Sequence, residues 1–102
     1  MNLPGGSETY SSLGSRLYRL YTEDKGNVAQ LVAPYFDSCT VLTATGYWRG
    51  IAEPSVVVEI LGTAQDSEKV ARLAEHIRVT NAQESVLVTM QPVSVVDVRA
   101  PQ

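Results

Sequence analysis

The chain is poor in the residues that most catalytic and metal sites require. Its 102 residues include one cysteine, Cys39, and one histidine, His76. A lone cysteine excludes an internal disulfide and suits a reducing cytosol, and Cys39 falls in a predicted strand, so we interpret it as a buried structural thiol. His76 lies on the polar side of a predicted helix, without Cys, Asp or Glu residues at ligand spacing. We therefore predict no metal and no cofactor.

Basic clusters and long apolar runs are also missing. Eight Lys and Arg against eleven Asp and Glu give a net charge of −3, which disfavours a surface that tracks the phosphates of nucleic acid. No apolar run approaches the roughly 18 residues of a membrane span, and the first residues lack the basic and apolar regions of a secretory signal. The composition thus predicts a cytoplasmic protein with no membrane or nucleic-acid partner.

What the sequence does contain is a pair of apolar, β-branched runs at residues 38–48 and 55–61. They predict the two strands of a hairpin at the mostly buried centre of a sheet, joined by a loop at residues 49–54. Further strands are predicted at residues 16–22, 85–90 and 93–98.

Two helices are predicted between these strands. Asn27 is placed to cap a short first helix that ends near Pro34. Asp66 is placed to cap a second, longer helix whose apolar residues recur at helical spacing. Asn81 is placed to end this helix by adopting the left-handed conformation. The stripe of this second helix consists of Val70, Leu73, Ala74 and Ile77.

The order of elements predicts an α+β fold of the ferredoxin-like βαββαβ type. It has a four-stranded antiparallel sheet, two helices on one face and an extra C-terminal strand. We assign residues 16–98 to this domain, 1–15 to a flexible N-terminal tail and 99–102 to a C-terminal tail. The uncovered face predicts self-association, since large apolar patches are rare on soluble monomers, and the extra strand is placed to extend a neighbour's sheet. We expect the uncovered face to include several of Leu17, Tyr21, Val41, Val57 and Leu87.

The sequence at residues 36–37, 40–50, 56–60 and 83–89 resembles the PII-like superfamily of nitrogen-regulatory signalling proteins. The likeness is closer to small uncharacterised bacterial or phage-type proteins that share a Gly-x-Trp turn and a Gln-Glu-Ser-Val-Leu strand start. The resemblance implies a homotrimer with inward-facing sheets, ligand clefts between subunits and a role in signalling. The chain departs from the family at residues 80–84, which lack its glycine and lysine, so ATP binding in the PII manner is not expected.

The most distinctive motif is the Gly-Tyr-Trp-Arg-Gly hairpin at residues 46–50. Tyr47 and Trp48 are suited to stacking on a planar ligand, and Arg49 to pairing with a carboxylate or phosphate. The structural alternative is that the glycines relieve strain where the hairpin bends while the aromatic rings close a hydrophobic or subunit boundary.

Three further polar residues are candidates for the same site. Glu59 lies within an apolar strand, where a carboxylate faces water, pairs with an arginine such as Arg16 or Arg19, or serves a ligand. Gln83 and Glu84 stand at the start of a strand, where their groups either meet a ligand or satisfy backbone groups of a turn.

The sequence carries neither a Gly-x-Ser-x-Gly elbow nor a phosphate loop, and we predict that the protein is not an enzyme. Our leading hypothesis is an oligomeric, non-catalytic module that binds a small anionic or nucleotide-like ligand between subunits. One alternative is a protein-interaction or assembly module without a ligand. Another is a small ferredoxin-like enzyme that uses paired carboxylates such as Glu53 and Glu59.

Overall fold

The computed structural model describes residues 7–11 and 14–101. Within these residues six strands and two helices follow one another, with a single 3-10 turn at Ala64–Asp66 before the second helix. The elements in chain order are β1 (Ser7–Ser11), β2 (Ser15–Glu23), α1 (Val28–Val32), β3 (Thr40–Trp48), β4 (Ile51–Thr63), α2 (Ser67–Thr80), β5 (Leu87–Pro92) and β6 (Val95–Arg99).

The main sheet has the strand order β3-β4-β2-β5 and is antiparallel throughout. This order is the ferredoxin-like one, because each of the two βαβ halves crosses over an inserted helix. The predicted fold class is therefore confirmed. No helix in residues 7–11 and 14–101 is long and apolar enough to cross a membrane.

The core lies between one face of the sheet and the two helices. Along β4, Val56, Val58 and Ile60 are buried while the residues between them are not, as the period of two in a strand requires. The predicted stripe of α2 packs against them, and all four of its residues are buried. The buried Tyr18 hydroxyl donates a hydrogen bond to the Thr63 carbonyl, so its polar end is satisfied.

The ends of both helices differ in detail from the predicted caps. Asn27 precedes α1, but its side chain makes no capping bond. Instead the amides of Asn27 and Asn81 bond reciprocally, at 2.8 and 3.1 Å, and join the start of α1 to the end of α2. Asp66 accepts a hydrogen bond from the Thr63 N–H at 2.8 Å, and the left-handed residue after α2 is Ala82 (φ 52°), not Asn81.

The hairpin differs most from prediction. The expected loop at residues 49–54 is wrong: Arg49 (φ 51°) and Gly50 (φ 79°) alone form the turn, as in type I′ hairpins, and β4 begins at Ile51. Pro54 fits inside β4 because it lies one residue beyond the last pair that β4 makes with β2, so its missing N–H interrupts no bond between them.

The same hairpin is not the buried centre of the sheet. β3 is the outermost strand, and almost all its side chains are exposed. Of the residues expected on the uncovered face, Val41 is misplaced, because it lies opposite Val58 on the helix side. Leu42 takes its place, opposite Val57.

The extra C-terminal strand, predicted at residues 93–98, is β6. It pairs with β1, from Ser7 opposite Arg99 to Ser11 opposite Val95, in a separate two-stranded sheet. The segment predicted as an N-terminal tail thus contains a strand, and Arg99, placed in the C-terminal tail, ends β6. Residues 1–6, 12, 13 and 102 of the two tails lie outside the described residues.

Replacing Ile77 with alanine tests the core of α2. Ile77 has no exposed surface, and the cavity left by a buried isoleucine costs about 2–5 kcal/mol in the free energy of unfolding. Urea denaturation measures this loss. The control is Val79→Ala, because Val79 lies on the same helix with 61% of its surface exposed, and its change is expected within about 0.5 kcal/mol. Equal effects of the two substitutions would contradict the assignment of the buried face.

Candidate functional site

A cavity of about 520 Å³ opens on the uncovered face of the sheet, at the end of β2. This volume lies in the range of small-molecule sites, roughly 300–1,000 Å³. Its floor is the sheet, one wall is the far end of the β3–β4 hairpin, and the other is the connection from α2 to β5. The lining residues are Tyr21, Thr22, Glu23, Ala44, Thr45, Gly46, Trp48, Glu53, Ser55, Val56, Val57, Ala82, Gln83, Glu84 and Ser85.

The hairpin forms a wall because it is longer than the strand beside it. β2 ends where Glu23 lies opposite Ser55, whereas β3 and β4 continue pairing as far as Trp48 and Ile51. At the base of this overhang Gly46 faces Ser55 closely, since a Cβ at Gly46 would lie 2.5 Å from the Ser55 Oγ. The overhang carries Trp48, half exposed, along the side of the cavity.

The opposite wall is fixed by Gln83, which is only 8% exposed. Its Nε2 donates to the Thr22 Oγ1 at 2.6 Å, and its Oε1 accepts from the Glu23 N–H at 3.0 Å. These bonds attach the α2–β5 connection to the end of β2. They position the neighbouring Glu84 at the cavity.

Arg78 supports this wall from the last turn of α2. Its guanidinium donates two hydrogen bonds to the Glu75 carboxylate, at 2.9 and 2.6 Å, and a third to the Gln83 carbonyl at 3.4 Å. The hydrogen bonds from Arg78 lower the pKa of Glu75.

The charge of the cavity is negative. Three carboxylates line it, from Glu23, Glu53 and Glu84, and no lysine, arginine or histidine is among its described lining residues. Glu23 also pairs with Lys25 at 3.1 Å. In the part of the chain that the structure describes, no group of three or more His, Cys, Asp or Glu is arranged to bind a metal ion.

The structure brings three of the six predicted site residues to this cavity: Trp48, Gln83 and Glu84. Tyr47 points to the opposite side of the hairpin, with 74% of its surface exposed, since it alternates with Trp48. Arg49 stands in the turn, with its guanidinium carbon 5.4 Å from the centre of the Trp48 ring.

The sixth predicted residue, Glu59, lies elsewhere, at the middle of the uncovered face. Its Oε2 accepts a hydrogen bond from the Arg19 Nε at 2.9 Å, so it forms the ion pair that the sequence left open as one alternative.

Four lining residues that matter chemically were not predicted: Tyr21, Glu23, Glu53 and Ser55. The sequence suggests Glu53 only as half of a carboxylate pair with Glu59. The alternation of β4 places both on the uncovered face, but Glu59 lies six residues farther along the strand and outside the cavity. The sequence signal that could have found Ser55 is the length of the hairpin turn. Once the turn is limited to two residues, the register brings Gly46 opposite Glu53 and Ala44 opposite Ser55.

Comparison with known proteins identifies the fold. No family model and no curated protein matches the sequence. Among solved structures, a DUF3240 family protein from Shewanella baltica OS155 matches with a TM-score of 0.59 at 13% identity, covering 78% of this chain and 90% of that one. CutA from Synechococcus elongatus PCC7942 matches with a TM-score of 0.56 at 14% identity, covering 87% and 85%.

A phage SAM lyase in its apo state matches over the greatest length of the three. Its TM-score is 0.60 at 19% identity, and the match covers 100% of this chain and 95% of the lyase. At these identities the likenesses establish a shared fold and nothing about activity. That shared fold is the ferredoxin-like arrangement of the main sheet and its two helices.

Replacing Gln83 with alanine tests how the wall is held. The substitution leaves the Thr22 hydroxyl and the Glu23 N–H without their partner, and such a loss costs about 1–3 kcal/mol. We expect the free energy of unfolding in urea to fall by this amount. Gln30→Ala is the control, because Gln30 is exposed on α1 and its loss is expected to change little. If Gln83→Ala is as stable as the control, Gln83 does not hold the wall.

Proposed function

We propose that this protein is a self-associating module that binds a small adenosyl compound carrying positive charge, of the S-adenosylmethionine class. The observation that carries the proposal is the acidic, aromatic cavity at the end of β2. The sequence analysis predicted an anionic or nucleotide-like ligand. The proposal retains a nucleotide-like ligand but gives it a positive charge in place of a negative one. A non-catalytic, signalling role in the cytoplasm belongs to the same proposal.

Charge decides between an anionic and a cationic ligand. A ligand with a net negative charge would face the carboxylates of Glu53 and Glu84 with no basic side chain among the described lining residues, and like charges at close range repel. S-adenosylmethionine has one carboxylate of its own, but its sulfonium and ammonium groups make its net charge positive. A sulfonium or ammonium group is attracted to the same carboxylates. The face of Trp48 adds to this attraction, because the indole ring has a negative π-face.

The aromatic side chains suit the other half of such a ligand. Tyr21 rises from the floor and Trp48 from the hairpin wall, and a planar purine is bound well by stacking on such rings. Ser55 and Glu84 supply a hydroxyl and a carboxylate for the polar edges of the base or the ribose. A phage SAM lyase shares this fold over the whole of the chain, and its name suggests which compound of the class to test first.

Self-association follows from the apolar residues that the sheet leaves uncovered. Leu42, Leu61 and Leu87 lie on that face with 46, 55 and 64% of their surfaces exposed, a pattern typical of an interface. We propose a homotrimer in which these faces meet. Because the cavity opens on the same face, a neighbouring copy would border it, as in the intersubunit clefts implied by the resemblance.

A second candidate is catalysis of SAM cleavage. The observation that favours it is the match to a SAM lyase over the whole of this chain. When a proton is removed from the carbon beside the carbon–sulfur bond, the C–H electron pair forms a C=C bond while the C–S pair leaves on sulfur. The sulfonium thereby becomes a neutral thioether, so the substrate carries its own leaving group. The cavity carboxylates of Glu53 and Glu84 are the groups available to hold the cationic substrate or to accept a proton from it.

Titration with S-adenosylmethionine tests the ligand, using the fluorescence of Trp48, the only tryptophan of the chain. The matched ligand is S-adenosylhomocysteine, which has the same adenosyl group but a neutral sulfur. Both are expected to quench the fluorescence, and the sulfonium to bind about 2- to 30-fold more tightly, the range of one cation–π contact. Equal affinity for the two would contradict the proposed charge preference.

Variants locate the binding site. Trp48→Ala and Glu84→Gln remove a stacking surface and a charge from the cavity, so we expect each to reduce the ligand-induced rise in melting temperature, which follows the fraction of native protein bound. Tyr47→Ala is the control, since Tyr47 lies on the same hairpin outside the cavity. A full thermal shift in both cavity variants would place the ligand elsewhere.

Chromatography of S-adenosylmethionine after incubation with the protein separates the two candidates. Intact ligand, recovered together with the thermal shift, supports a binding module. Conversion to a thioether product that is lost in Glu84→Gln or a Glu53→Gln variant supports the lyase. An absence of both binding and conversion would leave assembly without a ligand as the function.

A further inference from the structure

The acidic cavity has a cation at its rim, the ammonium group of Lys25. The Lys25 Nζ lies 3.1 Å from the Glu23 Oε2, and Glu23 is one of the lining residues. The two side chains keep 51 and 32% of their surfaces exposed, so a ligand in the cavity can reach both. An ammonium group has three N–H donors, and the contact with Glu23 uses one of them. Lys25 therefore has donors left for a second anion.

The turn that follows β2 holds Lys25 at this position. The Asp24 N–H donates to the Pro54 carbonyl on β4 at 3.0 Å, which ties the turn to the hairpin wall. The Asp24 Oδ1 accepts from the Gly26 N–H at 3.0 Å, and Gly26 has a φ of 75°, which glycine adopts without strain. Lys25 lies between these two anchored residues, so its backbone is fixed beside the cavity.

The other cations near the cavity are already engaged. Arg78 donates to the Gln83 carbonyl and to a carboxylate of its own helix, behind the α2–β5 wall. The guanidinium of Arg49 lies 5.4 Å from the centre of the Trp48 ring. Neither arginine is among the described lining residues. Lys25 is therefore the cation best placed to meet an anionic group of a ligand.

The amino-acid end of S-adenosylmethionine has the complementary arrangement of charges. Its ammonium and carboxylate are bonded to the same carbon, so a site that receives both needs an anion and a cation side by side. Glu23 and Lys25 form such a pair at the rim of the cavity. Glu23 can accept from the ammonium while Lys25 donates to the carboxylate, and hydrogen bonds between charged groups are among the strong ones.

We infer that the Glu23–Lys25 pair recognises the α-amino-acid end of the ligand, and that Lys25 selects adenosyl compounds that carry a carboxylate. The inference rests on the proposed function and adds the specificity of the same site. It leaves the carboxylates of Glu53 and Glu84 to the sulfonium. Lys25 is thus a specificity-determining residue that the list of acidic lining residues does not contain.

Decarboxylated S-adenosylmethionine separates this role from general charge attraction. It lacks the carboxylate and therefore has one more net positive charge than S-adenosylmethionine. Lys25 repels that charge and has no anionic group of this ligand to meet. Removing the lysine is therefore expected to act in opposite directions on the two ligands.

Titration by the fluorescence of Trp48 tests the inference with the unaltered protein and Lys25→Gln. The substitution is expected to weaken the binding of S-adenosylmethionine and S-adenosylhomocysteine, which both carry the carboxylate. The expected loss is about 3- to 10-fold, between the contribution of an exposed ion pair and that of a charged hydrogen bond. Decarboxylated S-adenosylmethionine is expected to bind as tightly as before or more tightly. S-adenosylhomocysteine has no sulfonium to cleave, so turnover does not affect its titration.

Two further variants complete the comparison. Lys25→Arg retains the positive charge and is expected to keep most of the affinity for the carboxylate-bearing ligands. Lys69→Gln is the matched control, since Lys69 is the other lysine of the chain and its Nζ lies 4.4 Å from the centre of the Phe36 ring, outside the cavity. It is expected to change the affinity of none of the three ligands.

The results distinguish this inference from the proposed function. If Lys25→Gln leaves the binding of the carboxylate-bearing ligands unchanged or tightens it, Lys25 only neutralises Glu23, and the inference is overturned. Equal weakening of all three ligands also overturns it, because the carboxylate is then not what Lys25 meets. In both cases the proposed function stands on the binding by the unaltered protein. If the unaltered protein binds none of the three ligands, both proposals are wrong.

Discussion

The structure depends on a sheet that is covered on one side only. Along β4 the helices bury Val56, Val58 and Ile60, and the alternation of the strand then directs Val57, Glu59 and Leu61 to the opposite face. No change of register can bury the apolar residues of that second face without exposing the residues of the core. The uncovered face, the cavity that opens on it and the proposed contacts between copies are therefore consequences of the same alternation.

At the centre of the uncovered face the ion pair of Arg19 and Glu59 has an electrostatic role that depends on assembly. Both side chains keep about a third of their surface exposed, 33 and 28%, and exposed pairs contribute little to stability, on the order of 0–1 kcal/mol. If a second copy covers the face, the pair is desolvated and each partner becomes necessary to the other. Arg19 also donates to the Gln91 Oε1 at 3.2 Å, which satisfies a further part of its guanidinium.

The elements that could be predicted from the sequence are those with a local period or a topological rule behind them. The stripe of α2 and the β4 run follow from their spacing, and the strand order follows from two right-handed crossovers. The predicted loop at residues 49–54 is too long, because Arg49 and Gly50, both with positive φ, already reverse the chain and β4 runs through Pro54. β1 carries no apolar period of its own. Its pairing with β6 joins the two ends of the chain and is invisible to any local pattern.

The candidate site was predictable only in part for a related reason. Trp48, Gln83 and Glu84 stood out as residue types, and the structure brings them to one cavity. The amide of Gln83, however, bonds to the Thr22 hydroxyl and the Glu23 N–H. Its hydrogen bonds are therefore those of a structural residue of the turn and not of a ligand contact. Tyr21, Glu23 and Glu53 become neighbours of the others only through the overhang of the hairpin beyond β2. That overhang is a relation between the lengths of two strands, and no single stretch of sequence encodes it.

The two-residue turn at Arg49 and Gly50 also decides which aromatic ring the cavity receives. Tyr47 and Trp48 are consecutive and therefore point to opposite sides of β3. Because the core holds β4 in place, inserting or deleting one residue in the turn would slip β3 along β4 by one position, and such a slip reverses the side of every residue of β3. The phenol would then replace the indole above the carboxylates. Turn length is thus a means by which related chains could exchange ligand preference without a substitution in either strand.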